Sequence, residues 1–89
     1  ETIQLRNPAS GWLANTNNFP FDAAGPGHSP DSTRVPRYMW NEPQNWRGVH
    51  ATRVLAGRTG FTLDSLIAAA YDPLLPFFEA VVPPPAAAW

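Results

Sequence analysis

Eleven prolines in 89 residues limit what this chain can become. Each fixes φ, withholds a backbone N–H and breaks a helix interior. Spread along the chain from Pro8 to Pro85, they cut it into short pieces and rule out one compact helix bundle. Hydrophobic residues make up 44%, enough for a modest core and too many for a charge-dominated disordered tail. A chain of this length forms one domain at most and buries only about 60–65% of the surface its unfolded form exposes.

Charge and cysteine usage exclude several classes. Net charge is −1, with no basic run, which argues against nucleic acid or an anionic membrane surface as a partner. There is no cysteine, so a disulfide framework and a zinc–thiolate site are both out. No apolar run approaches the length of a membrane span, and no signal peptide is visible.

The first pieces read as extended. Thr2–Arg6 alternates with Ile3 and Leu5 on one face, which predicts a half-buried strand. Asn7–Gly11 reads as a turn, with Pro8 fixing φ and Gly11 free to take positive φ. Gly11–Asn15 predicts a second strand, giving a β-hairpin. Residues 15–43 show little periodicity and read as a long loop, functional or packed by a body outside it. Within it, residues 36–40 suggest a single helical turn. Three helices follow. The first starts near Gln44 with Asn41 or Asn45 as N-cap and ends at Gly57. The second is capped by Thr62, with Asp64 in its first turn. The third is opened by Asp72-Pro73 and runs from Leu74 to Val82. Residues 83–89, Pro/Ala-rich, read as a linker or cut end, and residues 1–82 as the structured part.

The stretch Asn7–Pro20 carries the chemistry. It places Asn15, Asn17 and Asn18 within four positions, after Gly11-Trp12 and before Phe19-Pro20. An asparagine amide is a neutral donor on a short arm, and asparagine tolerates left-handed backbone. The cluster is therefore either a turn built by side-chain-to-backbone bonds or a prepared set of donors. Elsewhere, His28 and His50 share no ligand spacing, and Ser10 lies in no nucleophile elbow. Four tryptophans, with Tyr38 and Phe19, belong either to core and interface or to an aromatic binding face.

The pattern Asn-Pro-x-Ser-Gly-Trp-x-x-Asn-x-Asn-Asn-x-Pro resembles the segment of penicillin acylases and acyl-homoserine-lactone acylases that supplies the oxyanion asparagine. The likeness continues through Pro36-Arg-Tyr-Met39, the Arg47–Arg53 pair, Phe61-Thr-Leu-Asp64 and Ala70-Tyr-Asp72, and spans roughly residues 5–82. It implies an α+β fragment of an N-terminal-nucleophile hydrolase αββα sandwich, contributing a short β-hairpin, a long loop and about three helices. It also implies that Asn17, the middle asparagine of the group, is the oxyanion donor. Arg47, 30 residues on, would orient that amide or interact with the nucleophile's terminal amine through an intervening group, and Arg53 would be a structural ion-pair residue. The family's nucleophile is a serine or other small residue at a chain start, and this chain starts at Glu1, so an internal piece of a longer precursor, inactive alone, is expected. Its partners would be the remaining acylase α and β chains and a small acylated amine. No cofactor is expected in this segment, the family's calcium lying elsewhere, and the compartment implied is periplasmic or secreted. The competing reading is a non-catalytic aromatic- and proline-rich module that binds glycan or peptide.

Overall fold

Local capping chemistry decides where the helices lie. The computed structural model describes residues 2–40 and 42–82. Helix α1, Trp46–Leu55, begins where Asn45 leaves extended backbone and its Oδ1 accepts from Gly48 N–H at 2.9 Å. That bond satisfies one of the donors a helix start leaves unpaired. Asn41, the other candidate cap, lies outside the described residues. Beyond α1, Gly57 takes φ +74, a left-handed exit that costs glycine nothing. Helix α2, Leu63–Ala70, opens on a reciprocal box. Thr62 Oγ1 accepts from Ser65 N–H at 3.1 Å, and Ser65 Oγ accepts from Thr62 N–H at 2.9 Å. Helix α3, Pro76–Val81, is shorter than the span expected from Leu74. Proline is at home in a helical first turn but not further in, so Pro76 sets the start. Asp72 forms a turn ahead of α3 rather than capping it: its Oδ1 accepts from Leu74 N–H at 2.9 Å.

The expected β-hairpin is absent: no strand forms among the described residues. The alternation of Ile3 and Leu5 marks a residue pattern, but a ladder needs a second strand in register. The turn breaks that register. Gly11 N–H donates to Pro8 O at 2.9 Å, and Asn7 and Gly11 take φ +43 and +79. The chain after the turn instead runs past residues 23–25, where Ala14 N–H donates to Ala23 O at 2.8 Å. The described fold is therefore helical and irregular rather than α+β, and the sandwich fragment expected from the sequence is corrected with it. Between the asparagines and α1 lie three single 3₁₀ turns, at Pro20–Asp22, Ser32–Arg34 and Arg37–Met39. The second is capped by Asp31, whose Oδ1 accepts from Thr33 N–H at 2.9 Å. The Pro83–Trp89 piece, expected as a linker, lies outside the described residues.

Helix α3 docks on α1. Trp46 and Phe77 meet edge to face, centroids 5.7 Å apart, and Arg53 pairs with Glu79, the structural role expected of Arg53. His50 Nε2 stands 3.0 Å from Asp72 Oδ1, tying α1 to the segment before α3. Little of this amounts to a core. Among the described residues Ala24 and Pro76 are the buried apolar side chains, while Leu63 on α2 is 75% exposed and Tyr71 at its end 82%. The radius of gyration is 15.8 Å, against about 12 Å for a compact domain of this length. The accessible surface is 7307 Å², against about 5,200 Å² for a compact 9.8 kDa protein.

Candidate functional site

Two of the three clustered asparagines turn their side-chain oxygens back onto their own loop. Asn15 Oδ1 accepts from Asn17 N–H at 2.8 Å. Asn18 Oδ1 accepts from Thr16 Oγ1 at 3.0 Å and from Thr16 N–H at 3.3 Å. The first is the bond to the backbone two residues on by which asparagine builds an Asx turn, and the others tie Asn18 back to Thr16. Asn17 behaves otherwise. It takes φ +60, in the left-handed region, and its side chain is exposed. Asn17 Oδ1 accepts from Arg47 Nη1 at 3.1 Å.

That bond fixes the amide. A guanidinium carries donors and no acceptor, so only the oxygen of Asn17 can face it. The Nδ2 group is turned the other way, and among the described residues it has no hydrogen-bond partner. The structure thus brings together the two residues singled out from the sequence, 30 positions apart, and leaves a polarised amide donor at the loop surface. Arg47 reaches the loop because it stands in the first turn of α1, immediately after Trp46. The same arginine also lines an apolar groove of about 300 Å³ between α1 and α2, together with Val54, Leu55 and Leu66.

The remaining candidates fall away from this point. His28 is exposed in the loop between Gly25 and Ser29, and His50 is occupied by Asp72. The Leu74 N–H, and next the His50 ring, hold the Asp72 carboxyl below the ordinary carboxylate range. Ser10 Oγ donates to Trp12 O at 3.4 Å, a turn hydroxyl. Two residues escaped the sequence reading. Asn45 was legible as a cap only, yet its Nδ2 also donates to Thr16 O at 2.7 Å, across 29 residues. Gly48 is buried in the first turn of α1, and a β-carbon there would stand 3.0 Å from Thr16 Oγ1. A glycine inside a helix costs about 1 kcal/mol relative to alanine. That misfit was the available sign of a close approach.

The family model described as Penicillin amidase matches residues 1–88, and the chain belongs to that family. No curated protein and no solved structure matches it.

Proposed function

We propose that this chain is the oxyanion-asparagine segment of an acylase that hydrolyses the amide bond between an acyl group and an amine. In that reaction a nucleophile from outside this segment adds to the amide carbonyl carbon. The C–O π bond opens and its electron pair settles on oxygen. Asn17 Nδ2–H donates to that oxygen. Collapse of the tetrahedral centre re-forms the carbonyl and breaks the C–N bond, and the amine departs with a proton. Water then releases the acyl group through a second tetrahedral centre served by the same donor. The role of Asn17 is electrostatic: a fixed N–H aimed where charge develops does not have to reorganise during the step. Arg47 positions it.

The observation that carries this reading is the Arg47–Asn17 bond on a left-handed asparagine, inside a chain of the penicillin amidase family. The uncovered apolar side chains of α2 and α3 support a segment that packs against the rest of an acylase. The substrate class is a small acylated amine, and the partners are the remaining acylase chains.

The test is single-turnover kinetics of the full-length, processed acylase on a chromogenic amide. Asn17→Ala should lower kcat on the order of 10²–10³-fold, as loss of one oxyanion donor does elsewhere. KM should move little, because the donor matters most in the transition state. Asn17→Gly, which accepts positive φ freely, should show the same loss and so separates the donor from backbone strain. Asn15→Ala should act through yield and folding, having removed the acceptor of Asn17 N–H. If Asn17→Gly keeps near wild-type kcat, the asparagine cluster is only a turn.

A further inference from the structure

The peptide unit joining Thr16 to Asn17 is gripped at both ends. Its N–H donates to Asn15 Oδ1 at 2.8 Å, and its carbonyl accepts from Asn45 Nδ2 at 2.7 Å. The first grip is local to the loop. The second comes from the cap of α1, 29 residues away, and is part-buried. Asn45 has no freedom in this arrangement. Gly48 N–H demands its oxygen at 2.9 Å, and Thr16 O demands its NH₂ group, so each bond sets the flip of the amide for the other. Two residues further along the same helix, Arg47 holds the other end of Asn17 at Oδ1. One helical turn thus fixes both the peptide plane from which Asn17 departs and the amide in which it ends. Gly48 permits the approach. A β-carbon there would lie 3.0 Å from Thr16 Oγ1 and 2.9 Å from Gln44 Cγ, so a larger residue would lift the first turn of α1 off the loop.

We infer that Asn45, with Gly48 providing the clearance, is a positioning residue. It couples the start of α1 to the Thr16–Asn17 peptide and so sets where the Asn17 amide points. The inference rests on the reading of Asn17 as the oxyanion donor, and goes beyond it by assigning the aim of that donor to a residue that touches neither substrate nor reacting atoms. The arrangement divides the two jobs of one side chain. The Asn45 oxygen caps the helix and its nitrogen aims the loop.

That division supplies the test. Asn45→Asp in the full-length, processed acylase keeps the cap, since a carboxylate accepts from Gly48 N–H and is favoured at a helix start. It removes the donor to Thr16 O and sets two acceptors against each other. Thermal stability should fall modestly, through the lost bond and the opposed acceptors and against the retained cap, while KM should hold within about two-fold. The fall in kcat should be on the order of 10-fold to 100-fold, the scale of a misplaced catalytic group. In an Asn17→Gly background the same substitution should change kcat less than about two-fold, because the aimed group is gone. Gly48→Ala, which leaves the Asn45 amide intact, should lower kcat with the same dependence on Asn17, and decides the matter if Asn45→Asp does not fold. Unchanged kcat in these variants, or losses that multiply with that of Asn17→Gly, overturns the positioning role while Asn17→Gly alone still shows its loss. Near wild-type kcat in Asn17→Gly instead overturns the donor reading on which the inference stands, and the inference with it.

Discussion

Arg47→Ala separates orientation of the asparagine from direct stabilisation of charge. Arg47 Nη1 meets Asn17 Oδ1 at 3.1 Å, and both side chains are exposed. If the guanidinium only orients the amide, its loss releases Asn17 into its alternatives. The amide has two flips and χ1 has three staggered wells, so roughly one state in six still presents Nδ2 correctly. A six-fold loss corresponds to about 1.1 kcal/mol, the net worth of one ordinary hydrogen bond. Orientation alone therefore predicts a fall in kcat of roughly 3- to 10-fold, far short of the 10²–10³-fold expected on removing the donor itself. Arg47→Lys should recover part of that loss, because a flexible ammonium restores a donor but not the planar fork. Single-turnover acylation of the processed enzyme on a chromogenic amide measures all of these. Arg47→Ala combined with Asn17→Ala should match Asn17→Ala alone. A loss in Arg47→Ala as large as that in Asn17→Ala would refute the reasoning, since the guanidinium would then be meeting the developing charge. An unchanged kcat would refute it from the other side.

Two further outcomes follow from the loop and the α2–α3 connection. Gly25 sits at φ +81 with Trp12 against it, a β-carbon there falling 2.9 Å from Trp12 Cζ2. Gly25→Ala combines left-handed strain of about 1–2 kcal/mol with displacement of the indole, so exchange of Ala14 N–H should quicken at least about 5- to 30-fold. Unchanged exchange by mass spectrometry or NMR would show that Trp12 is not seated there. Asp72 has its carboxyl held low by Leu74 N–H and then by His50, and a depressed carboxylate contributes stability that is present above its unfolded value. That contribution should be intact above about pH 4 and be lost as pH falls through the lower folded value. The Leu74 amide proton shift should titrate with a midpoint below that of a free aspartate, and a midpoint at or above it would mean the bonds are not held in solution.

What the sequence disclosed divides by the range of the physics involved. Helix boundaries depend on side chains a few positions away, so Asn45, Gly57 and Thr62 marked them correctly. The resemblance set Asn17 apart from Asn15, and the two side chains do have different partners: Asn15 Oδ1 takes the Asn17 N–H, and Asn17 Oδ1 takes Arg47. The absence of the hairpin was not legible. Alternation at Ile3 and Leu5 states which face is apolar, but pairing depends on where Asn7 and Gly11 send the chain. The second role of Asn45 was hidden for the same reason. A cap is local, while the bond from its nitrogen to Thr16 O depends on how α1 lies across a loop of unpredictable path. His50 and Asp72 were read apart, one as a histidine with no ligand spacing and the other as the opening of the third helix, because 22 residues and a helix separate them.

The described residues bury almost no core, yet the site around Asn17 is closely specified, and the magnitudes explain how both hold. A left-handed asparagine costs on the order of 1 kcal/mol or a little more. Around it stand three bonds: Asn15 Oδ1 on the Asn17 N–H, Asn45 Nδ2 on the Thr16 carbonyl, and Arg47 on the Asn17 oxygen. At about 1 kcal/mol net apiece they offset that strain without help from buried apolar surface. Each also constrains a different degree of freedom: the donor end of the peptide, its acceptor end, and the side-chain amide. A hydrophobic contact could supply similar energy but no direction, since burial is non-directional. Hydrogen bonds to fixed donors and acceptors supply direction at short range, which the donor role proposed for Asn17 requires. The orientation of Asn17 is thus set by a helix cap, an Asx turn and one guanidinium, while α2 and α3 keep their apolar residues exposed.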